Sequence, residues 1–371
     1  MSLSVNSAKS SKPLFLCEET VWTSRMNKLS PRLRELVTMH TYARPSRSQT
    51  EEAFIADYIQ PLKGAYQDGF GNWIVQVGKG AHSVMWTSHT DTVAWYEGQQ
   101  AVCIDKDGDL ALDLDSEASC LGADCTVGVW LMRRMILAGK PGLYVFHREE
   151  ETGGNGSSWI VENTPELVSG VQFCISLDRR GYSSIITDQI YGETASNEFA
   201  ASMASQLQGS FKADPGGTFT DSAFYSGLIP ECSNLSVGYF SAHSSKECLD
   251  YEFADSLLLK LLALDYSKLV ASRIPEPIGA SDYGYGRYTS PYGLYQREQW
   301  GDGLYSDDDY VDGEEEVSLP ITTDPKLADY VDRELLNLVS RNPEAVTLLL
   351  QQWDLSTDDL YKAIREIKSY V

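Results

Sequence analysis

The sequence predicts an α/β protein: a three-layer sandwich around a mixed, largely parallel central sheet, followed by a small C-terminal all-α module. Three observations predict it. Short apolar runs suited to buried strands are interleaved with segments of helical periodicity. Several of those runs end directly in ionisable residues, as strands do where a sheet opens on a ligand crevice. Beyond Pro275 the apolar periodicity stops, and it returns only near the end of the chain.

Taken in order, residues 29–58 read as two helices around a Pro45-Ser46 break, followed by a Gly-rich turn and a strand over 72–77. A second strand, 84–88, runs into His89. Between residues 93 and 119 an Asp-rich stretch with alternating apolar residues (Val102, Ile104, Leu110, Leu112, Leu114) suits an edge hairpin turning at Asp107-Gly108. Residues 125–138 carry helical spacing through Val129, Leu131, Met132, Met135 and Ile136. The strand 142–146 then leads to Glu149, Glu150 and Glu151. Strand 171–177 delivers Asp178, strand 234–240 precedes His243, and helices are expected over 196–208 and 254–269.

This places a catalytic-type domain over 1–275. Residues 276–320 are rich in Tyr, Gly, Asp and Glu without periodicity and read as an acidic linker. Residues 321–371 read as the helical module, with starts at Asp324-Pro325, Asn342-Pro343 and Ser356; the sequence does not disclose its partner.

Composition excludes several classes. The 371 residues carry a net charge of -23, which opposes nucleic acid or an anionic membrane as partner, because phosphate binding needs clustered Lys and Arg. No stretch approaches the roughly 18 apolar residues of a membrane span, and residues 1–13 lack a signal-peptide run, so a cytoplasmic protein is expected. Seven scattered cysteines with no Cys-x-x-Cys pair argue against a disulfide framework or a thiolate zinc finger.

The ionisable residues fit a metal site. A pair of divalent ions needs imidazole and carboxylate ligands, a bridging carboxylate spanning about 3.5–4 Å, and a spare carboxylate for the water proton. His89 suits one ion, with Asp91 two residues on to orient its ring. Asp124, after a tight Gly122 turn, is placed to bridge. Neighbours on an extended strand point opposite ways, so three adjacent glutamates cannot enter one site. The Glu150-Glu151-Thr152-Gly153 register gives Glu151 to a metal and Glu150 to the proton, with Glu149 facing elsewhere. Asp178 completes one shell and His243 the other. His40, His82 and His147 are read as structural or surface residues, His147 being the nearest exception.

The order His-Thr-Asp, Gly-Ala-Asp, Glu-Glu-x-Gly, Leu-Asp, His resembles the co-catalytic zinc exopeptidases, the superfamily of aminoacylases, carboxypeptidases, peptidase T and zinc aminopeptidases. The likeness spans roughly residues 29–269, including Pro45-Ser46-Arg47-Ser48-Gln49-Thr50-Glu51 and Asp68-Gly69-Phe70-Gly71-Asn72. It implies His89, Asp124 and Asp178 on one zinc, Asp124, Glu151 and His243 on the other, Glu150 as general base and Asp91 behind His89. Manganese or cobalt could replace zinc. The interval from Asp178 to His243 is too short for the inserted lid domain of the carboxypeptidase branch, so a lidless form is expected. Cys125 departs from the acid or amide that many relatives carry there; it reads as a packed small residue or a thiol that tunes the site. Thr220 and Asp221 resemble a Gly-Thr-Asp substrate loop, or simply cap a helix. Arg179 could meet a substrate carboxylate or neutralise nearby acids.

The expected chemistry is hydrolysis of a peptide amide by a metal-bridged hydroxide with Glu150 as base. The same centre would serve an N-acyl amino acid deacylase or a cell-wall amidohydrolase, and a non-catalytic scaffold is the alternative outside enzymes. A glycosidase using Glu149 or Glu150 with Asp178 would leave His89 and His243 without a role.

Overall fold

The computed structural model describes residues 26–276 apart from 81, 115 and 191, so the linker and helical module expected beyond 276 lie outside the described residues. Eight strands form one sheet: β1 (Tyr66–Gln67), β2 (Trp73–Val77), β3 (Val84–His89), β4 (Gly142–His147), β5 (Phe173–Arg179), β6 (Ser184–Ile186), β7 (Lys212–Asp214) and β8 (Glu231–Ser236). Their spatial order is β7-β6-β8-β5-β3-β4-β2-β1. Neighbours among the central strands β8, β5, β3 and β4 run parallel, whereas β2 and β1 join antiparallel at one flank. At the other flank β6 is antiparallel to β8 and parallel to β7. The mixed, largely parallel sheet is as expected.

Side chains alternate across the central strands and so feed two cores. Trp86 and Ile175 join the larger cluster, while Met85 and Cys174 join the smaller one on the opposite face. Helices α1 (Pro31–Met39), α2 (Gln49–Tyr58) and α3 (Ala123–Leu137) pack into the first core, α4 (Asn155–Asn163) covers the second, and α5 (Asn197–Leu207) and α6 (Tyr251–Ala263) complete the first. Sequence sets where four of these helices begin. Ser30, Ser48, Ser196 and Asp250 each accept the amide of the residue three positions on, satisfying one of the donors a helix start leaves open. No described helix is long and apolar enough to cross a membrane.

Helix α3 lies almost on the sheet. A Cβ at Gly128 would stand 2.1 Å from the Leu177 carbonyl oxygen and 2.6 Å from Ser88 Oγ, so glycine is required there. This contact sets the height of the α3 N-terminus above the ends of β3 and β5.

Two expectations needed correction. The apolar run 234–240 is broken into β8 and a separate strand, Tyr239–Phe240, by an irregular register between Asn234 and Ser236 and by Gly238 at φ +98°. The Asp-rich hairpin (Val102–Ile104 and Leu110–Leu112) is not an edge of the main sheet. It pairs with Cys248–Leu249, which pairs with Tyr239–Phe240, forming a second, four-stranded sheet. That sheet positions the connection 241–247, which carries His243.

Two predictions follow from the packing. Gly128→Ala should destabilise the fold by at least about 1–3 kcal/mol, because the obstacle is backbone; an unchanged urea midpoint would contradict the close approach. His40 is fully buried, and burial holds its pKa down at about 3 against an ordinary 6.5. The unfolded chain therefore binds the extra proton between those values, and stability is full above about pH 6.5 and falls as pH drops towards about 3. Wild type and His40→Gln compared by urea unfolding should diverge across that window; parallel pH profiles would contradict it.

Candidate metal centre

The sheet's carboxyl edge assembles the site. His89 is the last residue of β3, Asp178 lies near the end of β5, and Glu150 and Glu151 sit in the turn after β4. Asp124 enters from the start of α3. There Gly122 turns the chain at φ +70°, and Asp124 (ψ 116°) and Cys125 (φ 75°) depart from helical geometry. His243, at φ 62°, comes from the second sheet.

These residues converge on Asp124. Its Oδ1 lies 3.1 Å from His89 Nε2, and its Oδ2 lies 2.9 Å from His243 Nε2. Glu151 Oε1 is 3.2 Å from the same His243 nitrogen. His89 Nε2 also has Asp178 Oδ1 at 3.6 Å and Glu150 Oε2 at 3.9 Å. Potential donor atoms cluster as His89, Asp124 and Glu151, and as His89, Glu150 and Asp178. The second grouping includes Glu150 at the edge of reach, but only Asp124 turns a separate oxygen to each imidazole.

The other ring nitrogen of His89 fixes its tautomer. Nδ1 faces the Asp91 carbonyl oxygen at 3.1 Å, which can only accept, so Nδ1 donates, and Nε2 is the atom turned to the acids, where a metal ion could replace its proton. The Asp91 carboxylate stands 3.6 Å from Nδ1 and accepts the amides of Glu150 (3.2 Å) and Glu151 (3.3 Å). Asp91 thus orients both the histidine and the glutamate turn. Glu149 leaves the cluster through a left-handed conformation (φ 62°), and its carboxylate is held by Arg47 at 2.5 Å and Asn155 at 2.8 Å.

Burial and mutual contact shift the proton affinities of the clustered acids and imidazoles. Burial, reinforced by Asp124, raises Asp178 to about 8, and burial also carries Glu150 well above the carboxylate range. Burial would raise Asp124 too, but hydrogen bonds from His243 and His89 outweigh it and hold Asp124 well below. For both imidazoles burial opposes charge and the surrounding acids prevail, keeping His243 and His89 well above the usual value. Protons thus balance the converging acids, the role that divalent cations would take over. Asp178 Oδ1, buried and without a hydrogen bond, is a further unused donor atom. The residues fit a divalent metal held by oxygen and nitrogen ligands.

Of the residues singled out for substrate, none presents a free side chain to the cluster in this arrangement. Thr220 is buried and donates from Oγ1 to Asp178 Oδ2 at 2.9 Å. Asp221 is buried 3.2 Å from His147 Nδ1, whose Nε2 meets the Tyr225 hydroxyl at 2.8 Å. Arg179 Nη2 donates to the Gly216 carbonyl at 2.8 Å, beside Asp214 at 3.9 Å. The Cys125 thiol donates to the Asp91 carbonyl (3.0 Å) and accepts from Arg44 (2.9 Å), and burial raises its pKa.

Three supports escaped the sequence reading. Glu247, which burial raises to about 7, accepts the amides of Gly122 and Asp124. Tyr239 donates its hydroxyl to the Asp178 carbonyl at 2.9 Å. Glu51 is fully buried, paired with Arg148 at 2.8 Å and bonded to Thr90 Oγ1 and the Arg47 amide, so it ties the start of α2 to the chain after β3 and after β4. Only Glu51 had a local signal, since Ser48-x-x-Glu51 has the spacing of a helix-start capping box.

No protein-family model matches the chain, and no curated protein sequence matches it. Solved structures do. The aminopeptidase PepT of Bacillus cereus ATCC 10987 superposes with a TM-score of 0.52 at 15% identity, over 62% of this chain and 96% of that one. A tripeptidase of Staphylococcus aureus subsp. aureus Mu50 gives 0.53 at 14% identity, again over 62% and 96%. This chain shares their fold.

Glu51→Ala would leave the buried Arg148 guanidinium only the half-exposed Glu52 carboxylate, at 2.8 Å, and should cost about 1–3 kcal/mol. Chemical denaturation checks this, and a loss well under about 1 kcal/mol would mean that the pair is not the link described.

Proposed function

We propose that the chain is a metal-dependent peptide hydrolase acting on short peptides. Two divalent ions, zinc in the first instance, would be held by His89, Asp124 and Asp178 on one side and by Asp124, Glu151 and His243 on the other. The observation that carries this reading is the Asp124 carboxylate, with one oxygen at His89 and the other at His243. When bound, the ions would supply the positive charge that makes water acidic and polarises an amide carbonyl.

The remaining chemistry belongs to the protein. Glu150 is the proton carrier: it lies beside the cluster, its main chain is fixed by Asp91, and burial raises its proton affinity. Its carboxylate takes a proton from the attacking water as the carbon–oxygen bond forms. It returns that proton to the nitrogen as the carbon–nitrogen bond breaks. Asp91 keeps His89 in its ligating tautomer, and Thr220 holds Asp178 in place. Cleavage of short peptides, rather than of N-acyl amino acids, is supported by the shared fold with an aminopeptidase and a tripeptidase.

Glu150→Gln should lower kcat on a tripeptide by about 10²–10⁴-fold while the metal content of the purified protein stays that of wild type. A variant with near wild-type turnover would remove Glu150 from the chemistry. A wild-type enzyme that cleaves N-acyl amino acids and leaves tripeptides intact would replace the peptidase reading with a deacylase.

A further inference from the structure

We infer that Glu247 positions the Asp124–Glu151–His243 half of the centre by gripping the main chain of Asp124. This inference rests on the two-ion reading above. Helix α3 begins without a cap of its own: Gly122 occupies the cap position and offers no side chain. The open amide donors there are met from far along the chain. Glu247, 1% exposed, accepts Gly122 N–H through Oε2 at 2.9 Å and Asp124 N–H through Oε1 at 3.0 Å.

The same short segment also carries His243, whose Nε2 meets Asp124 Oδ2 at 2.9 Å. Residues 243–247 thus hold Asp124 twice, by its backbone and by its carboxylate. Their own spacing is closed by the Glu247 amide on the Ser244 carbonyl at 3.1 Å. Both partners need such a hold. Asp124 and Cys125 depart from the helix they begin, and His243 and Ser241 have positive φ, conformations that persist only where the surroundings impose them. Glu247 fixes the distance between the bridging carboxylate and His243, on which the second ion depends more than the first. His89 and Asp178 are delivered by the central sheet and do not depend on residues 243–247.

The test is zinc binding by calorimetry with a competing chelator, on the full-length protein. Glu247→Gln keeps the shape but points an NH2 group at a backbone N–H. It should bind the second zinc ion about 10–100-fold more weakly, as loss of an outer partner typically does, and the first, which shares Asp124 but keeps His89 and Asp178, with a smaller loss. The melting temperature of the metal-free protein, measured alongside, should fall, because a buried donor is left against a donor, and the titrations are made well below it so that zinc affinity is read on folded protein. Glu247→Asp keeps the acceptors at shorter reach and should fall between the two; it carries the test if the glutamine variant does not fold. Two ions bound with wild-type affinity, or both weakened equally, would overturn the inference. A wild-type protein that binds fewer than two ions would instead overturn the two-ion reading on which it stands.

Discussion

The Asp124 carboxylate, with an imidazole at each oxygen, is the interaction around which the rest of the structure is arranged. Holding it there requires that α3 begin close to the sheet, which Gly128 permits, and that its first residues abandon helical geometry. It also requires acids to meet in a buried space, where burial alone would keep them protonated. A fold organised only for stability has no physical reason to gather Asp91, Asp124, Glu150, Glu151 and Asp178. A bound divalent metal would give that reason.

Around the cluster, buried ionisable side chains meet separate local partners. Glu51 faces Arg148, Asp221 faces His147, and Arg44 donates to the Thr90 carbonyl and Thr126 hydroxyl while its guanidinium lies 4.0 Å over the Phe54 ring. These groups have partners of their own, which would leave the acids of the cluster for a ligand. Thr220 and Asp221 belong to this supporting layer in the observed geometry.

Much of the fold and the cluster was legible because it rests on local pattern. Apolar runs of strand length gave β3, β4 and β5, and the ionisable residue after each gave His89, the glutamates and Asp178. Glu149 faces away from the cluster, as strand alternation predicts, but for a different cause: the glutamates lie in a turn, and the left-handed conformation of Glu149, held by Arg47, turns it away. Where local pattern misled, tertiary pairing decided. The run 234–240 reads as one strand, but Gly238 and the register shift divide it between two sheets. Glu247 was invisible because its partners lie more than a hundred residues away, and nothing in Ser244-Ser245-Lys246-Glu247 separates it from a solvated turn.

The most direct measurement is anomalous diffraction from crystals of the protein loaded with zinc. The account predicts two anomalous peaks about 3.5–4 Å apart, bridged by Asp124, with His89 and Asp178 on one and Glu151 and His243 on the other. A single peak, or ions bound away from Asp124, would contradict it.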